Sequence, residues 1–107
     1  MKSFEDREKA FEAEFKRDQE LQFRVTARRN RLFGLWAAGR LGIGEGDAAE
    51  AYARTVIDAD FEKPGDSDVI EKVRGDLVAK SIEVSGAQLR AELARAADEA
   101  KRQLSQG

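Results

Sequence analysis

SFEDREKAFEAEFKRDQELQFRVTARRNRLFGLWAAGRL, residues 3–41, decides the fold class. The stretch has no proline and its first glycine is Gly34, so nothing before that point obliges a helix to stop. Ser3 is a good helix cap, and Asp6 three residues later completes a weak capping box. Phe4, Phe11 and Phe15 fall within about 20° of a common line at 100° per residue. Leu21, Val25, Leu32, Leu35 and Trp36 form a second stripe, turned by roughly 80° from the first. Gly39, Gly42, Gly44 and Gly46 then end the helix, because glycine is favoured where a chain turns left-handed after a C-terminus.

Beyond the glycines the helical pattern repeats three times. Asp47 caps a second helix, with Ala49, Tyr52, Ala53, Val56 and Ala59 or Asp60 at helical spacing and Phe61 near its end. Pro64 and Gly65 break it. Asp68 with Glu71 predicts the next start, and Val69, Ile70, Val73, Leu77 and Val78 form its apolar stripe. Ile82 and Val84 fall in a connector and plug the end of the core. Ser85 and Gln88 make a better capping box, followed by Leu89, Leu93, Ala96, Ala97, Ala100 and Leu104 at three- and four-residue steps. No run of β-branched residues alternates, so the expected fold is all-α, a four-helix bundle with a long first helix.

Length then separates an arm from a body. Residues 3–41 as one helix would span roughly 57 Å at 1.5 Å per residue. The other helices, at about 13–20 residues, reach only roughly 20–30 Å. The first therefore outruns its partners by about twenty residues at the same rise, which divides the chain into an N-terminal arm, residues 1–20, and a bundle, residues 21–107. Glu5–Lys9, Glu12–Lys16 and Glu20–Arg24 support helix in the arm by about 0.2–0.5 kcal/mol each, while Glu8–Glu12 and Glu14–Asp18 oppose it. An isolated helix of this length is marginal, so the arm is expected to be mobile and partly helical until a partner's apolar groove receives its phenylalanines. The competing expectation is that the arm folds back and adds them to the core.

Composition narrows the chemistry. The 107 residues are 41% hydrophobic and 37% charged, with no His and no Cys. Structural zinc sites, disulfides and Cys- or His-based nucleophilic machinery are excluded. No apolar run is long enough for a signal peptide or a membrane span, so a soluble, cytoplasmic protein is expected. The segment at residues 42–46, GIGEG, follows a helix and lacks the Lys-Ser/Thr of a phosphate loop. A calcium loop starting at Asp58 fails, because Lys63 and Val69 occupy the positions that need glycine and a bidentate glutamate. No metal site and no catalytic constellation remain, and the chain does not read as an enzyme.

Charge is unevenly placed. Residues 1–20 carry five basic and seven acidic side chains, whereas residues 21–44 carry Arg24, Arg28, Arg29, Arg31 and Arg40 and no acid. Residues 45–107 carry nine basic and fourteen acidic side chains. The arginines pair with the acidic remainder of the bundle, or contact phosphate, or dock an acidic partner; their planar fork suits all three. These options leave open a nucleotide-sensing helical bundle, an arginine-rich nucleic-acid-binding module and a helical adaptor. The acidic remainder and the net charge of −2 oppose nucleic acid.

FEDREKAFEAEF at residues 4–15, QFR at 22–24, ARRNRLFGLWAA at 27–38 and ADFE at 59–62 together resemble the zeta subunit that regulates F-type ATP synthase in alphaproteobacteria. The resemblance covers nearly the whole chain and implies a four-helix bundle with an N-terminal inhibitory segment. That segment would enter the soluble head between catalytic subunits, beside the rotor, and block ATP hydrolysis. Its implied partners are the alpha, beta and gamma subunits, with no nucleic acid and no direct membrane insertion. Carried over by position, Phe4, Phe11 and Phe15 would anchor the segment and Glu5, Asp6, Arg7, Glu8 and Lys9 would make polar contacts. The resemblance requires no cofactor but implies ADP or ATP as a regulatory ligand, for which Arg28, Arg29 and Arg31 are the candidates. It places the protein at the inner face of the cell membrane when bound.

Overall fold

The computed structural model describes the backbone of residues 4–62 and 66–106 and the side chains of residues 17–60 and 68–105. Four helices follow in order, α1 (Phe4–Arg40), α2 (Asp47–Glu62), α3 (Asp66–Ala79) and α4 (Gly86–Gln106). Among the described residues there is no strand, and the all-α expectation holds.

The helix ends show why the chain turns where it does. After α1 the Ile43 amide donates to the Ala38 carbonyl at 2.9 Å and the Gly42 amide to Gly39 at 3.3 Å. Gly42 has φ of 81°, so the paired reverse bonds close around a left-handed residue. The same pattern ends α3, with Ile82 donating to Leu77 and Ser81 to Val78, both at 2.9 Å. There a serine takes the left-handed position, at φ of 59°. Ile82 packs on the core cluster that contains Leu77, the apolar contact such ends favour.

Two helix starts differ from expectation. Gly46 precedes α2 and its carbonyl accepts the Glu50 amide at 3.0 Å, so Asp47 is the first helical residue instead of the cap. α3 starts at Asp66, two residues ahead of Asp68, because an acid directly after the Pro-Gly break already suits the positive end of the helix dipole. At α4 Ser85 caps the helix as read, with the Gln88 amide donating to Ser85 Oγ at 3.0 Å.

Phe33, Ala37, Val56, Val69, Ile70, Val73, Leu77, Leu89, Leu93 and Ala96 form the buried core. Leu32, Trp36, Leu41, Tyr52, Ile82 and Val84 pack around it. The expected stripes of α2, α3 and α4 supply most of this core. Val78 does not; it is 62% exposed, because it follows Leu77 by 100° and points off the α3 face. The larger correction concerns α1. Its buried face is Asn30, Phe33, Gly34, Ala37 and Ala38, between about 100° and 160° around the helix from the centre of the Leu21–Trp36 stripe. Leu21 is 49% exposed, and Leu32, Leu35 and Trp36 are only half-buried.

Close approach explains why the small residues won. A Cβ on Gly34 would lie 2.7 Å from Ala53 Cα and 3.0 Å from Ala53 Cβ, so α1 and α2 touch almost backbone to backbone. Leucines on that face would hold the helices apart and leave Phe33 without its close neighbours. Phe33 itself stacks on Trp36 with ring centroids 5.7 Å apart. About 100° around α2 from Ala53, Tyr52 Oη and, from α3, Lys72 Nζ each donate to Asp76 Oδ2 at 2.7 Å. Lys72 also lies 5.4 Å from the Tyr52 ring centre, so three side chains lock α2 to α3.

Contact with the bundle covers only part of α1. Every residue from Arg17 to Arg24 is exposed, and burial begins at Val25. The radius of gyration is 17.4 Å and the longest dimension 66 Å, against about 13 Å expected for a compact domain of about 100 residues.

Two outcomes test this packing. Gly34→Ala should destabilise the protein by about 1 kcal/mol net, overpacking at Ala53 outweighing the helix-propensity gain. Gly75→Ala on α3, where an added methyl meets nothing within 4 Å, should stabilise by about 1 kcal/mol. Urea unfolding followed by the fluorescence of the single Trp36 reads both, and equal signs would contradict the close approach. Burial, reinforced by the neighbouring Asp76 carboxylate, pushes the Tyr52 phenol above its ordinary range. A raised value in the folded state means that the stabilisation is complete below pH about 10 and fades as pH climbs toward the folded value. Because Tyr52 is the only tyrosine, tyrosinate absorbance should titrate above pH about 10 in the native protein and near pH 10 in urea. Coincident curves would remove the lock.

Candidate regulatory surface

The anchor and contact positions Phe4, Glu5, Asp6, Arg7, Glu8, Lys9, Phe11 and Phe15 fall on the helical backbone of α1, and their side chains lie outside the described residues. What the structure does establish is the stem that carries them. From Arg17 to Arg24 the helix has neither glycine nor proline, and its side chains touch solvent on every side. Leu21 and Phe23, 49% and 56% exposed, are large apolar groups on this stem. Gln19, Glu20, Phe23 and Arg24 border a shallow groove of about 380 Å³ along it.

The arginine stretch begins where the stem meets the bundle, and its members go to different partners. Arg28 Nη1 donates to Gln103 Oε1 at 2.8 Å, joining α1 to α4. Gln103 Nε2 in turn donates to Glu99 at 3.1 Å. Arg29 donates from Nε and Nη2 to Asn30 Oδ1, at 3.1 and 2.9 Å. Asn30, only 1% exposed, donates from Nδ2 to Asp60 Oδ2 at 3.1 Å. Arg31 forms a two-pronged pair with Glu50, Nε to Oε2 at 3.0 Å and Nη2 to Oε1 at 2.5 Å. The hydrogen bond from Arg31 holds the Glu50 carboxyl below its ordinary value, assisted by the charges of Arg31 and Arg54 and opposed by desolvation. Arg40 lies 5.9 Å from the centre of the Trp36 ring. Residues 28, 29 and 31 thus bind α4, the Asn30 relay to α2, and α2 itself, and do not converge on one point.

Two hollows border these arginines, and their charges differ. The larger, about 530 Å³, is lined by Arg31 and Arg54 but also by Asp47, Glu50 and Asp58. Two cations against three carboxylates do not favour an anion. The smaller, about 250 Å³, lies among Arg29, Ile70, Arg90, Leu93, Ala94 and Ala97. It joins two guanidinium groups to an apolar floor with no acid in its lining. Sequence reading missed Arg90, since only the fold brings residues 29 and 90 to one cleft. It also missed Asn30, whose spacing to Phe33, Gly34 and Ala37 marks the small-residue face in retrospect.

Among the described residues no group of acidic side chains could hold a metal ion, and no helix is long and apolar enough to cross a membrane. The chain is similar over its length to known proteins. A protein structure solved by solution NMR shares 46% sequence identity and a TM-score of 0.70, covering 80% of this chain and 96% of that one. No curated protein sequence matches. The family model of ATPase inhibitor subunit zeta matches residues 1–103, nearly the whole chain. Together with an all-α bundle and an overlong first helix, that match shows that the protein belongs to the ATPase inhibitor subunit zeta family, whose members are inhibitory regulators of ATP synthase and not enzymes.

Proposed function

We propose that the protein blocks ATP hydrolysis by F-type ATP synthase by inserting the N-terminal part of α1 at a catalytic interface of the soluble head, next to the rotor. The observation that carries this reading is the exposed stem at residues 17–24, beyond which the α1 backbone continues as helix to Phe4. Phe4, Phe11 and Phe15 anchor the inserted segment, while Glu5, Asp6, Arg7, Glu8 and Lys9 make its polar contacts with the alpha, beta and gamma subunits. No cofactor is needed, because a wedge acts by occupying space and not by chemistry. The arm is mobile in the free protein and becomes rigid on binding. Ordering it offsets about 2–5 kcal/mol of the contact energy, and a second contact from the bundle raises the arm's local concentration. The protein works in the cytoplasm, at the inner membrane face where the synthase resides, without touching lipid.

A second reading concerns a regulatory ADP or ATP. The cleft between Arg29 and Arg90 supports it, since guanidinium groups suit phosphate oxygens and Ile70, Leu93, Ala94 and Ala97 offer an apolar floor to a base. Of the three arginines singled out by sequence, Arg29 fits this role; Arg28 and Arg31 serve the bundle through Gln103 and Glu50.

Two measurements test these readings. Removing residues 1–18 should abolish inhibition of the purified catalytic head while leaving circular dichroism and Trp36 fluorescence those of a folded bundle. A truncated protein that inhibits as well as the full chain would overturn the arm's role. For the nucleotide, Arg90→Ala should weaken ADP binding by about tenfold, as loss of a charged hydrogen bond does, and Arg28→Ala should leave it unchanged in calorimetry. Equal affinities for both variants would dismiss the cleft.

A further inference from the structure

We propose that residues 17–24 form a torsionally stiff shaft that fixes the angular position of the bundle on the enzyme once the arm is seated. This rests on the reading of the N-terminal segment as the inhibitory element, and adds that the bundle must face one way.

Four observations lead there. α1 is a single helix from Phe4 to Arg40. It contains no proline, and no glycine before Gly34, so none of the usual sites for kinks or swivels lies between the phenylalanines and the bundle. The shaft is exposed over more than two turns, so orientation passes from one end to the other along the helix itself. Finally, the faces at its two ends are distinct. At 100° per residue the Phe4, Phe11 and Phe15 positions lie roughly 90° from the centre of the buried line Asn30–Phe33–Gly34–Ala37–Ala38.

A flexible tether would make that angle irrelevant; a helix made rigid on binding fixes it. With the phenylalanine line facing a cleft wall, the bundle is held about a quarter-turn around the axis. It therefore meets one particular part of the enzyme's outer surface, which serves as the second contact. The partner chemistry is that of the catalytic head itself, approached from a defined azimuth.

Insertions between Glu20 and Leu21 separate angle from length. Two alanines turn the arm by about 200° and lengthen it by about 3 Å; four turn it by a net 40° or so and lengthen it by about 6 Å. Alanine is the best helix former, and circular dichroism with Trp36 fluorescence verifies that each variant folds. In ATP-hydrolysis assays on the complete ATP synthase, the two-residue insertion should raise the concentration for half-inhibition at least tenfold. The longer insertion should raise it less than about threefold. Equal loss from both, equal tolerance of both, or loss that grows with length overturns the shaft. Those results leave the inhibitory reading standing so long as removal of residues 1–18 abolishes inhibition; if that truncation inhibits normally, the reading beneath has failed instead.

Discussion

A helix can be buried only as far as its neighbours reach, and α1 is far longer than they are. Its C-terminal half is held at close range, with Gly34 against Ala53 and Phe33 enclosed by the core. Toward the N-terminus that cover ends at Val25, close to where Arg28 meets Gln103 and Asn30 meets Asp60. From there back to Arg17 the helix continues with every residue exposed. The exposed stem at residues 17–24 follows from this mismatch of lengths, and the proposed inhibition by a wedge builds on it. The same mismatch explains the mixed charge of the stem, because an exposed helix must remain compatible with solvent.

Polar side chains define how the body is assembled. The Arg29–Asn30–Asp60 relay sets α1 against α2, and Tyr52, Lys72 and Asp76 set α2 against α3. No buried polar side-chain atom among the described residues lacks a partner, so these groups specify register without the cost of unmet hydrogen bonds. Arginines that look like one basic patch in sequence are divided among Gln103, Asn30 and Glu50. In the Arg29–Arg90 cleft cationic charge meets an apolar hollow.

Most of the fold was legible in the sequence because helix ends obey local rules. Gly42 after α1 and Ser85 before α4 act as their residue types predict. The face of α1 was not legible, and the reason is physical. Periodicity finds large apolar residues, whereas this face is made of small ones, Gly34, Ala37 and Ala38, around a single Phe33 and a buried Asn30. Close backbone approach rewards the absence of side chain, which a hydrophobic count cannot register. Likewise Ser81 ends α3 in a conformation usually given to glycine, and no residue signal announces it. For the regulatory surface, blocks of sequence around Phe4 and Trp36 pointed to the family, while Arg90 could emerge only once α4 lay beside α1.

Backbone hydrogen exchange, compared between the free protein and its complex with the catalytic head, addresses the projecting helix most directly. The account predicts rapid exchange across residues 4–24 in the free protein, strong protection there in the complex, and a bundle protected in both. Amides of residues 4–24 that are already as protected as those of Phe33 and Val56 without the enzyme, and unchanged by it, would contradict it.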